Sequence, residues 1–181
     1  MLADSISPDY QELLDLLGSR LDLLGHTGYN GGLDVSAKLA TGPSAIFRDL
    51  KTEQSPGIMY HVSALIPSRG PADPTRKRHI GNDVVVVVFN ESGRPFHPSV
   101  VMKSHFTHVY VVIEKVKPKA GDSSAAAPPT KYKVEVVLRE GVALVPPYLP
   151  VEPVFVKASR FEQWLICKCT CLLRFWFCYF L

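Results

Sequence analysis

The side chains that could do chemistry are scattered along this chain, and most of the patterns they suggest stop short of a site. His97, His105 and His108 lie in PFHPSVVMKSHFTHVY, where three imidazoles invite a metal ion. Their spacing matches no zinc signature, and the stretch holds no cysteine or acidic residue to complete a ligand set. Structural or surface histidines are the simpler reading. A Ser-His-Asp hydrolase would need a G-x-S-x-G elbow, which the sequence lacks. The glycine-rich GHTGYNGGLD, residues 25–34, has no Lys-Ser/Thr ending of a phosphate-binding loop and reads as a structural turn.

One stretch is different. RKRHIGNDVVVVVF, residues 76–89, sets Arg76, Lys77, Arg78 and His79 directly against five valines, with Gly81, Asn82 and Asp83 between them. An uncharged carboxamide thus sits between a cationic surface and an apolar run. From local pattern alone Asn82 is a helix C-cap or turn residue. The basic cluster fits a solvated face, a nuclear localisation patch or a nucleic-acid patch. With a formal charge of only +3 over the chain, a run this short is better suited to steering an acidic protein partner.

This junction needs elements to hold it. Asp73 is suited to cap, and Pro74 to open, a short helix that runs through the basic cluster and stops near Gly81. DVVVVVF is apolar and β-branched on both faces, which predicts a central strand covered on each side. Asn82 then falls where rigid elements on both sides can position a side chain accurately. IMYHVSALIP predicts a strand over residues 58–66 that Pro67 ends. HVYVVIEKV, from His108, and KYKVEVVLRE, from Lys131, predict two more, the second with one wet face. Upstream, Ser7, Pro8 and Asp9 open an amphipathic helix carrying Tyr10, Leu13, Leu14 and Leu17, which Gly18 closes. KPKAGDSSAAAPPT is low-complexity and reads as an insertion over about residues 117–130. With 46% hydrophobic and 20% charged residues among 181, the chain supports one globular core of α/β class, a mixed sheet with helices packed on it.

The last eighteen residues, WLICKCTCLLRFWFCYFL at 164–181, break from the rest in composition. They approach the ~20 residues of a membrane span. Lys168 and Arg174 argue against one, since a basic residue near the bilayer centre costs roughly 2.5 to 3.5 kcal/mol. A tail anchor and a terminus altered by splicing or by a faulty gene model both stay open. All four cysteines, Cys167, Cys169, Cys171 and Cys178, fall here, which is not a secreted disulfide framework. The N-terminus has no basic region before an apolar run. A reducing, cytoplasmic location is expected, with membrane association through the tail as the alternative.

IMYHVSALIP, RKRHIGNDVVVVVFNE, PFHPSVVMKSHFTHVYVVI and the earlier GYNGGLDV together resemble the catalytic domain of the Rap-type GTPase-activating proteins, which include the RapGAPs and tuberin. The similarity runs in one order from about Tyr10 to about Trp164, nearer the RapGAP branch. It implies a RapGAP-type catalytic domain over residues 1–163 and an atypical tail at 164–181. Such domains usually follow a small dimerisation subdomain, which is not expected in a chain that begins this close to the catalytic region. The family's final helix is expected to begin at SRFEQWLICK and give way to the tail.

The resemblance also implies a mechanism. Ras-type GTPases orient the attacking water with a glutamine, and many activators add an arginine finger. Rap lacks that glutamine, and the family inserts an asparagine thumb instead, which Asn82 matches here. His79 and Arg78 match residues that support the thumb helix or contact the GTPase, with no arginine finger among them. Lys77 and Arg76 become rim charges, and Asp83 fixes the local backbone or pairs with the basic cluster. No cofactor of its own is implied, because GTP and magnesium belong to the partner, a small GTPase for which GYNGGLDV and RKRHIGND lean toward the Rap type over Rheb or Ral without deciding among them; no nucleic acid is implied. The alternative is a truncated, non-catalytic GTPase-binding or scaffold isoform.

Overall fold

The computed structural model describes residues 6–51, 57–70, 73–101, 104–117, 129–157 and 159–179. Residues 118–128, most of the expected insertion, lie outside them. The α/β expectation holds, with the strands divided between two sheets and the chain between two compact units, Met1–Asn82 and Asp83–Leu181.

The first unit opens with α1 (Pro8–Leu17), as Ser7, Pro8 and the leucine spacing predict. The Ser7 hydroxyl accepts from the Tyr10 amide at 3.0 Å, which satisfies one of the first-turn donors. Leu13, Leu14 and Leu17 form its buried face. No basic residue occupies the last turn of α1, so its terminal carbonyls draw on a neighbouring strand. Arg48 donates from Nε to the Leu17 carbonyl at 3.0 Å and from a terminal nitrogen to that of Leu16 at 2.6 Å. Arg48 ends β2 (Ser44–Arg48), the middle of an antiparallel sheet flanked by β1 (Ser19–Asp22) and β3 (Ile58–Tyr60). A small core of Leu23, Leu33 and Ala45, with Met59 against it, ties this sheet to the glycine-rich loop.

The strand predicted for residues 58–66 stops at Tyr60. Val62, Ala64 and Ile66 are buried and Ser63 is exposed, so the alternation in burial is real. The backbone there is nevertheless a tight turn, with the amides of Leu65 and Ile66 both donating to the Val62 carbonyl. After it comes α2 (Thr75–Ile80), six residues long.

The second unit is a four-stranded sheet in the order β4 (Val85–Phe89), β5 (Val109–Val116), β6 (Lys131–Leu138), β7 (Val154–Val156), with α3 (Pro98–Val101) following β4. The β4–β5 pair is parallel and the other two are antiparallel, which makes this sheet mixed. The most buried strand is β5, whose residues Val109 to Ile113 are all buried. In β6, Tyr132 and Val134 face the core while Lys131, Lys133 and Glu135 are exposed, giving the one wet face expected. The valine strand departs from expectation. β4 lies at an edge of this sheet, paired with β5 alone among the described strands, and each of its residues is only half-buried. A β-branched, two-faced apolar sequence reports compatibility with burial on both faces, and does not report how many neighbours the strand acquires.

The helix expected to begin at SRFEQWLICK is α4 (Ser159–Tyr179), and it runs on through the cysteine- and aromatic-rich stretch as one helix. Phe161, Leu165, Lys168, Cys169 and Leu172 share its buried face at helical spacing. Phe161 stacks on Tyr132 with ring centroids 4.9 Å apart and also meets Phe155, which in turn packs against Trp164. Lys168 is only 1% exposed. Its ammonium donates to the Val145 carbonyl, and burial lowers its pKa. Burial likewise pushes the Cys169 thiol up to about 12, so it is an inert core residue. Arg174 remains exposed. No helix among the described residues is long and apolar enough to cross a membrane.

Because Phe161 is fully buried against two aromatic rings, Phe161→Ala leaves a cavity that the sheet cannot close. It should destabilise the protein by about 3 to 5 kcal/mol in urea unfolding, whereas a surface change such as Arg174→Ala should stay within about 0.5 kcal/mol.

Candidate functional site

A six-residue helix has no intrinsic stability, because the cost of nucleating it is not repaid over so few hydrogen bonds. The position of α2 must therefore come from its contacts, and three are built into the first unit. At its entry the Asp73 carboxylate accepts from the Thr75 hydroxyl at 2.6 Å, the Thr75 amide at 2.9 Å and, through its other oxygen, the Arg69 amide at 2.8 Å. Asp73 is thus the helix-entry acceptor that the sequence suggests, with the helix starting one residue later than expected. In mid-helix, Arg76 Nε donates to the Ile66 carbonyl at 2.8 Å. In the last turn, the His79 ring meets the His61 ring edge-on, centroids 5.6 Å apart at 69°. His61 in turn lies 2.9 Å, through Nε2, from the carbonyl of Gly31.

These contacts sort the basic cluster. Arg76 is half-buried and donates from Nε to a backbone carbonyl. Lys77 and Arg78 are exposed. His79 and Asp83 are half-buried. The helix ends at Gly81, whose amide donates to the Lys77 carbonyl at 2.8 Å. A Cβ at that glycine would lie 2.5 Å from the same oxygen, closer than any side chain tolerates, so the tight exit requires glycine.

Asn82 follows. Its amide donates to the His79 carbonyl at 3.2 Å, which fixes its backbone to the last turn of α2. Its side chain is exposed, and among the described residues no hydrogen bond engages the carboxamide. The capping role that local pattern would give Asn82 falls instead to the Gly81 backbone. An amide with an oxygen acceptor and an NH₂ donor is left facing solvent, on a backbone held by neighbours. The arrangement can orient a small polar molecule such as water, and it brings no ionic charge of its own.

The other candidates from the sequence do not assemble. No group of three or more metal-ligating side chains occurs among the described residues. His108 turns its Nδ1 to the Phe106 carbonyl, and the His105 carbonyl accepts from Arg139, so both belong to the loop before β5. A cleft of about 170 Å³ in the second unit is lined by Arg94, Phe96, Glu114, Lys133 and Glu135, but Lys133 and Glu135 pair with each other across 2.8 Å. His61, which meets His79, and Gly31, which meets His61, lie 18 and 48 positions from His79, and no local spacing connects them.

The sequence profile of the Rap/ran-GAP family matches residues 1–175. The chain belongs to that family. Over 167 residues it is 35% identical to the human GTPase-activating Rap/Ran-GAP domain-like protein 3, which covers 90% of this chain and 15% of the relative. Over 125 residues it is 39% identical to the RapA guanosine triphosphatase-activating protein 1 of Dictyostelium discoideum, covering 67% of this chain and 11% of that one. The chain therefore spans a small part of the length of these relatives. Its fold is similar to the solved TSC2 GAP domain at a TM-score of 0.71 and 28% identity, over 93% of this chain and 85% of the other.

Asp73 offers a test of how this Rap/Ran-GAP site is held. Three hydrogen bonds, first those from Thr75, hold its carboxyl down to about 2, below the usual unfolded value near 3.9. The stabilisation it lends the entry to α2 is therefore complete above about pH 4 and is lost as pH falls through about 2. The stability difference between the wild-type chain and Asp73→Ala, measured by urea unfolding, should be flat from pH 7 to 5 and shrink between about pH 4 and pH 2.

Proposed function

We propose that this chain is a GTPase-activating domain that stimulates GTP hydrolysis on a small GTPase of the Rap type, with Asn82 as the group that enters the GTPase active site and orients the attacking water. The observation that carries this reading is the exposed carboxamide of Asn82, unengaged among the described residues, on an anchored backbone, in a chain whose relatives are named as GTPase-activating proteins.

The chemistry suits an amide. Beside a γ-phosphate, the carboxamide oxygen can accept a proton of water while its NH₂ donates to a phosphate oxygen, which aligns the nucleophile. A carboxylate in that place would repel the phosphate. An arginine would supply charge but no acceptor for the water. GTP and magnesium are the partner's, so the activator contributes positioning and leaves the phosphate-binding loop to the GTPase. Lys77 and Arg78, exposed beside Asn82, supply positive potential toward an acidic switch region, and this acts on encounter rather than on the chemical step. The Rap preference rests on the resemblance of GYNGGLDV and RKRHIGND to the Rap activators, and we place the protein in the cytoplasm.

Two measurements test the reading. In single-turnover hydrolysis by a GTP-loaded Rap-type GTPase, the wild-type chain should accelerate the reaction and Asn82→Ala should lose at least about 10²-fold of that acceleration while melting at the wild-type temperature. GTPase binding without any acceleration would favour the scaffold alternative. Reversal of the rim charge, Lys77→Glu, should raise KM several-fold at low salt and less at high salt, where screening removes the steering, with kcat within about twofold.

A further inference from the structure

We infer that His61 is the positioning residue for Asn82: through its ring contact with His79 and its hydrogen bond to Gly31, it fixes the last turn of α2 from which the carboxamide projects. The inference rests on the reading of Asn82 given above and adds to it a residue from outside the basic stretch.

The argument follows the contacts. Asn82 is attached to α2 through its amide on the His79 carbonyl at 3.2 Å, so any rotation of His79 moves Asn82 with it. Asp73 and Arg76 secure the entry and the middle of the helix. Neither reaches the last turn, where a short helix frays first. At that end the ring contact between His79 and His61, 5.6 Å between centroids, is a side-chain contact that restrains the residue carrying Asn82.

His61 is itself held. A carbonyl only accepts, so at 2.9 Å from the Gly31 oxygen the Nε2 of His61 carries the proton, and the ring plane is set by that bond. Gly31 is in the left-handed region at φ 59, and a Cβ there would lie 3.0 Å from the Met59 side chain and 3.5 Å from His61 Nε2. The glycine lets the loop backbone come close enough to offer its carbonyl to His61. Met59, two residues before His61 on and beyond β3, packs against the Leu23, Leu33 and Ala45 core. The path therefore runs from a packed core through Gly31 and His61 to His79 and the Asn82 amide.

Two readouts on the full chain decide it. The first needs no GTPase: amide hydrogen exchange followed by NMR, with Val111 in β5 as an internal reference for the fold. His61→Ala should speed exchange of the Asn82 amide at least tenfold and leave Val111 unchanged. His61→Gln, which keeps a donor near the position of Nε2, should recover part of the protection. Should the alanine variant lose its fold, His61→Phe keeps ring volume against His79 and removes only the donor. The second readout is the GTPase assay, in which His61→Ala should lower kcat at least tenfold with KM within twofold, and His61→Ala/Asn82→Ala should be no slower than Asn82→Ala. An Asn82 amide that exchanges no faster in any His61 variant overturns the inference, as does a rise in KM alone or full additivity with Asn82→Ala. Faster exchange in a protein whose wild type fails to stimulate hydrolysis overturns the proposed activity and leaves the positioning role of His61 standing.

Discussion

A helix of six residues cannot keep its own shape in water, and the candidate site of this Rap/Ran-GAP chain stands at the end of one. Everything about α2 follows from that constraint. Its sequence, TRKRHI, buries no residue fully, so packing of an apolar face, the usual source of helix stability, is replaced by polar anchors. Asp73, just outside the helix, holds its start through Thr75, while Arg76 and His79 hold the middle and the end against Ile66 and His61. Anchors of this kind cost side-chain freedom, about 1.5 to 2 kcal/mol for a residue such as arginine. In exchange they leave Lys77 and Arg78 on the helix, and Asn82 just after it, exposed to solvent. A helix packed by leucines would need a broader buried face and would present fewer of its residues outward.

The same logic separates the charges of RKRH, which look equivalent in the sequence. A guanidinium can stretch to a backbone carbonyl while its aliphatic stem lies along apolar surface. Arg76 does so toward Ile66, a residue 2% exposed in the turn after β3. Its charge is thereby committed to structure. Lys77 and Arg78, one and two positions on, rotate about 100° per residue away from that contact and stay exposed. Helical periodicity thus makes one of three adjacent cations an anchor and two a surface.

Much of the fold was legible from particular residues and some of it was not. Ser7 with Pro8 and the leucine spacing specified α1, because capping and periodicity are local. Lys131, Tyr132, Lys133 and Val134 specified both β6 and its wet face for the same reason. The alternation of Val62, Ala64 and Ile66 marked the buried side chains correctly but named the wrong backbone, since a tight turn can also present every second residue inward. The valines of β4 were read as central, but strand order depends on pairing partners that lie far along the chain. At the site, Asn82 stood out through its neighbours and through family resemblance. Its unengaged state did not, because a free carboxamide and a capping carboxamide are identical in sequence. His61 was invisible as a functional residue: its contacts with Gly31 and His79 join positions 30 and 18 residues away, and nothing in MYHV marks the histidine as different from its alternating neighbours.

The choice of asparagine also follows from the site's physical setting. Beside Asn82 lie two exposed cations and a half-buried histidine and aspartate, a field in which a carboxylate would be drawn into ion pairs with Lys77 or Arg78 and turned away from solvent. A cationic side chain would be repelled by the same two residues and would need an anion to hold its conformation. An amide forms no ion pair with either, so the direction in which its Cα–Cβ bond leaves the chain is set by the backbone that carries it. Glycine at 81 removes the Cβ that would clash with the Lys77 carbonyl, the Asn82 amide closes on His79, and the side chain leaves the turn in a direction fixed by those two contacts. The placement of the Asn82 backbone is thus a property of α2 and of what holds α2, which is how His61 and Gly31, 21 and 51 positions earlier in the chain, come to bear on it.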